Sequence, residues 1–230
     1  ALVLALLTAF YFVLPGPRRD DDEGGGWAFR RPGKAQAKTL QALVVEADAH
    51  ERYAPGHARR VADLALALAD AIAFPAAERG RLEQAALLHD VGELDTPADL
   101  IGKPGLLSQP ELHRLWKHPA AGAARALAVT KDPVVATWVR WSHERWDGLG
   151  YPDGLAGTQI PLPARILRLA DSLEAMSQAR PYRGALDPAE AASEINRLAG
   201  ISYDPELARV FVDYVLPRWT ERRGDAPPGA

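Results

Sequence analysis

The sequence contains no cysteine and a single methionine in 230 residues. Disulfides, thiolate zinc sites and cysteine nucleophiles are therefore excluded, and any metal must be held by histidine, aspartate or glutamate, a ligand set suited to iron, manganese or zinc. Because such a chain tolerates any redox environment, the absence says nothing about compartment. An excess of basic charge is also missing: 27 Lys and Arg against 30 Asp and Glu give a net charge of −3 and a pI near 6.1. That balance argues against a nucleic-acid polymer as partner. The apolar stretch Ala1 to Leu14 falls short of the roughly 20 residues that span a bilayer. No internal repeat, P-loop or dinucleotide-binding glycine pattern occurs, and no run of alternating Val, Ile and Thr suggests a sheet.

With 47% hydrophobic and 25% charged residues, the chain can build a sizeable core. Residues 1–14 read as a truncated membrane segment, a docking helix or a signal-peptide core, and Arg18-Arg19 just after them would keep the rest of the chain on the cytoplasmic side. Residues 15–37, with an acidic run from Asp20 and three glycines from Gly24, read as a linker. From Lys38 the periodicity is helical: Leu40, Leu43, Val44 and Ala47 mark one face, Val61, Leu64, Ala65 and Leu68 another, and Leu82, Ala85, Ala86 and His89 a third. Capping residues predict further helices over Ser108–Leu127, Pro133–Ser142, Pro163–Ser177, Asp187–Leu198 and Asp204–Thr220. The expected fold class is all-α, one domain over 38–221, followed by a disordered tail over 222–230.

The chemistry gathers in Trp141 to Gly154, where a histidine and carboxylates run into a loop of three glycines and a proline. The His89-Asp90 pair ends an apolar helix, where adjacent residues can aim a nitrogen and a carboxylate at one space. His57, His118 and His143 and Asp171 each fall near a predicted helix end among apolar residues. His50 and His113 match no such context and read as surface residues. Trp116, Trp138 and Trp141 fall at helical spacings and read as core; Trp146, in the loop, can touch a substrate.

Together these segments resemble the HD-GYP family of the HD superfamily of metal-dependent phosphohydrolases, the cyclic di-GMP phosphodiesterases. The resemblance rests on His57-Ala-Arg-Arg-Val61, His89-Asp-Val-Gly92, Lys103-Pro-Gly-Leu-Leu107, His118-Pro-Ala-Ala-Gly122, the His143 to Gly154 loop, Ile160-Pro-Leu-Pro-Ala-Arg165, Ala170-Asp171 and Arg180-Pro-Tyr-Arg183. It runs in the family's order from about Lys38 to Tyr214 and implies an HD-type helical bundle with a metal site in its core. His57, His89, Asp90 and Asp171 are then expected to hold one divalent metal, with Asp90 bridging to a second held by His118 and His143. Two such cations neutralise charge developing on phosphorus and activate water at neutral pH. Tyr151, Lys103, Arg180 and Arg183 are the expected substrate contacts, the arginines through their fork and flat face.

Two positions depart from the family. Its usual His-Asp-x-Gly-Lys reads Glu93 here, a carboxylate that reaches the metals as an extra oxygen ligand, repels an anionic substrate, or has a neutral role. Asp90 and Glu93 are the candidate catalytic carboxylates. The family's first histidine of His-His-Glu is Ser142, which weakens the second metal site. Tyr53 stands where some members carry an acidic ligand to a third metal, so no more than two metals are expected. The resemblance implies hydrolysis of cyclic di-GMP to linear pGpG or GMP, or else a degenerate module that binds cyclic di-GMP or a protein. An upstream sensor or membrane segment and a second copy of the chain, as a homodimer, complete the expected partners.

Overall fold

The computed structural model describes residues 31–50, 55–101, 103, 105–178 and 184–223. The apolar N-terminal stretch, Tyr53, Arg180, Arg183 and the tail from 224 lie outside the described residues. Eleven α-helices occur among those described: α1 (Lys34–His50), α2 (His57–Ala71), α3 (Arg79–Leu88), α4 (Ala98–Ile101), α5 (Gln109–Leu115), α6 (His118–Thr130), α7 (Pro133–Arg140), α8 (Leu162–Met176), α9 (Pro188–Leu198), α10 (Pro205–Val210) and α11 (Leu216–Arg223). The only pairing of β type among these residues is an isolated bridge between Ala199 and Tyr203, so the fold is all-α as the periodicity predicts.

Side-chain caps set several helix starts. Ahead of α5 Glu111 accepts from the Ser108 amide and hydroxyl, and at α9 Asp187 and Glu190 form a reciprocal capping box; Asp132 accepts from the Val134 amide at α7, and Asp204 from Glu206 and Leu207 at α10. Three boundaries differ from the sequence reading. Helix α1 starts at Lys34, inside the predicted linker. The predicted helix over Ser108–Leu127 is two helices, because Pro119 has no amide to donate to the Leu115 carbonyl and its ring crowds the preceding turn. The predicted helix over Asp204–Thr220 widens into a π-turn at Phe211–Val215, just before Pro217, which likewise cannot donate to the carbonyl four residues back.

Helix α2 is central. Its apolar positions Val61, Leu64 and Leu68 recur at intervals of three and four, and all are fully buried. They pack with Leu82, Ala85 and Ala86 of α3 and with Ile166, Leu169 and Leu173 of α8 in one continuous core. Each fully buried leucine contributes about 1.5–3 kcal/mol. That packing fixes how the first residue of α2, the C-terminal end of α3 and one face of α8 stand relative to one another, and those three places carry His57, His89-Asp90 and Asp171.

Candidate metal centre

Among the described residues two groups of possible metal ligands occur, and they share a residue. His57, His89, Asp90 and Asp171 form one; Asp90, His118 and His143 form the other; within each, the ligand atoms all lie within 4.8 Å of one another. Asp90 divides its carboxylate between them. Oδ2 faces His89 Nε2 at 3.0 Å and His57 Nε2 at 3.5 Å, while Oδ1 faces His143 Nε2 at 3.3 Å and His118 Nε2 at 3.6 Å. Asp171 Oδ1 closes the first group, 3.7 Å from His57 and 3.8 Å from His89.

Three of the four histidines are held by the nitrogen turned away from the centre. His89 Nδ1 donates to the Ala86 carbonyl and His118 Nδ1 to the Leu115 carbonyl, both at 2.8 Å and both three residues back at a helix end. The Leu115 carbonyl is the one Pro119 leaves unsatisfied, so the proline that breaks the helix also orients the ligand. His57 Nδ1 donates to Glu174 Oε2 at 2.6 Å, and Glu174 Oε1 accepts from Arg60 Nε at 2.6 Å. Upstream, the Asp48 carboxylate accepts from the Gly56 and Ala58 amides and so fixes the start of α2 on which His57 sits. In each case an Nε2 lone pair is left pointing inward, the arrangement metal-ligating histidines adopt.

The donor set fits a divalent cation. His118 Nε2 is buried and has no hydrogen-bond partner, and the Nε2 atoms of His57 and His89 face each other at 3.3 Å. Buried polar atoms are rarely left this way unless something outside the polypeptide completes them. Without a bound cation the carboxylates favour protons on the histidines beside them, protons that a metal would displace. Burial opposes charge on His57, but Asp90 and Glu174 outweigh it and push this histidine up to about 10. Burial and the neighbouring His143 push His118 down to about 4, leaving it neutral. Burial would also raise Asp90 and Asp171, yet the surrounding histidines hold both below the usual carboxylate range. Both stay anionic, as metal ligands must be.

The glycine-rich loop is a rigid wall of this centre. Buried Glu144 accepts from the amides of Asp153, Gly154 and Leu155. Asp153 in turn accepts from Arg140 and the Trp141 indole, and Gly150 leaves no space for a Cβ, which would meet the Arg145 amide nitrogen at 2.3 Å. Tyr151 is thereby laid flat on His143, ring centroids 5.2 Å apart and 3° from parallel. Trp116 stacks on the far side of Tyr151 at 5.5 Å.

Several residues stand elsewhere than the sequence suggests. Trp138 is core, but Trp116 is 36% exposed. The break before α6 puts Trp116 at a helix end beside the Tyr151 loop, so the helical spacing that suggests burial does not apply. His50 is half-buried, bonded to the Thr96 carbonyl at 2.8 Å, because the chain after α3 folds back onto α1; His113 is exposed. Glu93 belongs to neither ligand group. It is buried in the 3₁₀ turn Val91–Asp95 that follows Asp90. Ser142 Oγ turns back to the Val139 carbonyl at 2.9 Å and supplies no ligand. Lys103 is ion-paired to Glu111 at 2.6 Å and lines a cleft of about 460 Å³ that includes none of the clustered histidines. Trp146 carries the Arg165 guanidinium over its ring at 5.7 Å. Glu174 escapes a sequence reading, although it follows Asp171 by one helical turn. Replacing it, as Glu174→Gln, removes the anion that holds His57, and metal affinity measured by titration is expected to fall about 10- to 100-fold.

Fold and site together define a helical metal-binding domain built around a histidine–aspartate pair. The HD domain family profile matches residues 43–207, so the chain belongs to the HD domain family, and its Gly150-Tyr151-Pro152 loop places it in the HD-GYP branch. It is 38% identical over 147 residues to 3′3′-cGAMP-specific phosphodiesterase 1 of Vibrio cholerae, covering 64% of this chain and 34% of that protein. It is 35% identical over 159 residues to a cyclic di-GMP phosphodiesterase of Thermotoga maritima, covering 68% and 43%. The chain thus spans less than half the length of these relatives. In fold it is similar to the crystal structure of a cyclic GMP-AMP specific phosphodiesterase of V. cholerae, with TM-score 0.60 and 19% identity over 81% of this chain and 49% of that one. Among the described residues no helix is long and apolar enough to cross a membrane.

Proposed function

We propose that this domain is a metal-dependent phosphodiesterase that opens cyclic di-GMP to linear pGpG, continuing to GMP where the linear product is retained. The observation that carries the reading is the division of Asp90 between two ligand groups, a geometry suited to a pair of divalent cations sharing one carboxylate. The names of the relatives supply the substrate class. When bound, iron, manganese or zinc at these groups would stabilise charge on the phosphoryl oxygens and acidify water. His57, His89 and Asp171 would hold the first cation and His118 and His143 the second. That second group has only three protein ligands because Ser142 points away, so it is the weaker. Hydrolysis forms a bond from water oxygen to phosphorus and breaks the bond from phosphorus to the 3′ oxygen. Glu93, on the turn after Asp90, is the carboxylate we assign to take the water's proton, and the leaving 3′ oxygen takes one from solvent. The residues ahead of α1 would join the domain to an upstream sensor or membrane segment on the cytoplasmic side.

Trp116, exposed on the outer face of the Tyr151–His143 stack, suits a guanine base. Stacking of a base on an aromatic ring contributes about 1–3 kcal/mol. Trp116→Ala is therefore expected to raise KM for cyclic di-GMP about 5- to 100-fold with kcat little changed, as steady-state kinetics would read. The function itself is tested by incubating manganese- or iron-reconstituted protein with cyclic di-GMP and resolving the products by chromatography. Linear pGpG or GMP is expected. A metal-loaded protein that binds cyclic di-GMP without turnover would instead support a degenerate sensing module, the reading that Ser142 favours.

A further inference from the structure

Arg168 stands apart from the other arginines of this domain. Every other buried or half-buried arginine among the described residues is ion-paired, as Arg60 is with Glu174, Arg81 with Asp132 and Arg165 with Asp204. Arg168 makes no ion pair and no side-chain hydrogen bond among the described residues, although its Nε is fully buried. A guanidinium N–H is costly to bury without an acceptor, because the group cannot shed its proton to escape the charge. Its position explains what it waits for. Arg168 lies on α8 one turn before Asp171, so it shares a helix face with one residue of the first ligand group. The Tyr151 ring, stacked on His143, borders the second. The charge of Arg168 bears on the hydroxyls of both Tyr151 and Tyr203, working against the burial that raises them. The cation therefore stands near the tyrosine wall of the metal centre.

We propose that Arg168 is a substrate-binding residue, its guanidinium left open to take the phosphodiester oxygens of the ligand beside the metal groups. The proposal rests on the functional reading above for the identity of the ligand, but not for its chemistry: a fork of N–H donors suits a phosphate oxygen pair whatever nucleotide carries it. It predicts that the residue contributes to ligand affinity and not to the fold.

The test compares wild type, Arg168→Met and Arg168→Lys, each loaded with manganese and checked for equal metal content. Calorimetry reads the Kd for cyclic di-GMP and, separately, for inorganic phosphate; the thermal midpoint is read without ligand. Arg168→Met is expected to weaken both ligands about tenfold or more, Arg168→Lys to recover part of that loss, and the ligand-free midpoint to stay level or rise. Unchanged affinities, a lowered midpoint or failure of Arg168→Met to fold would overturn the proposal and make Arg168 a structural residue. If wild type binds phosphate through Arg168 but not cyclic di-GMP, the substrate assignment falls and the anion site stands. If metal-loaded wild type binds neither, both fall.

Discussion

Asp90→Ala is expected to leave the protein folded, unable to retain metal, and without measurable hydrolysis of cyclic di-GMP. The fall in turnover should be roughly a thousandfold or more, on the order of 4 kcal/mol in the barrier. The reason is the division of labour within one carboxylate. Asp90 is the only residue common to the two ligand groups, Oδ2 facing His57 and His89 and Oδ1 facing His118 and His143. Removing any histidine thins one group, whereas removing Asp90 takes an anion from both. It also leaves four imidazoles converging with less negative charge between them, which disfavours a cation further. The fold should survive because Asp90 sits where α3 ends, packing no core side chain, and its hydrogen-bonding partners are themselves ligands. Elemental analysis, circular dichroism and turnover on the same preparation check the three parts of this expectation. Metal retained at the wild-type level would contradict it.

Gly92→Ala should have a comparably large effect by a different route. A Cβ on Gly92 would come within 1.9 Å of the His118 carbonyl oxygen and 2.4 Å of the Gly122 amide nitrogen. Both are backbone atoms in the first turns of α6, so no side-chain rotation relieves the overlap. The turn carrying Asp90 and the helix carrying His118 would have to move apart, opening the contact that brings the two ligand groups together. Overpacking of this kind costs about 1–3 kcal/mol and more where backbone must shift. We expect a loss near the upper end, read as a drop in denaturation midpoint, together with loss of metal. Gly184→Ala, which meets nothing within 4 Å, is the matched control and should change neither. The glycine following His89-Asp90 in this family is thus explained by close approach of two backbones.

How much of this was legible in the sequence depends on the kind of signal each residue leaves. Helices with a polar cap and an apolar period, such as α7 and α9, are readable because each residue's preference agrees with its neighbours'. The break between α5 and α6 is also written, in Pro119, but it sits in a stretch whose cap at Ser108 and later helical spacing fit a single helix. His57, His89, Asp90, His118, His143 and Asp171 were legible as a set because they recur in a family's order; their individual contexts are those of ordinary buried residues. What the sequence does not carry is which atoms face which. Glu174 looks like any helical glutamate until His57 is seen to donate to it. Arg168 looks like a solvated cation until its Nε is found buried with no partner. Trp116 needed the loop's path to place its ring on Tyr151. In each case the missing information is a contact between residues far apart in the chain, which local pattern does not encode.

Metal stoichiometry decides whether Asp90 joins two metal positions. Purified protein, stripped of metal and titrated with manganese, should bind close to two ions per chain, the second more weakly than the first, and Asp90→Ala should abolish both. A wild-type protein that binds no manganese, iron or zinc, or that binds a single ion with Asp90→Ala unchanged, would contradict it.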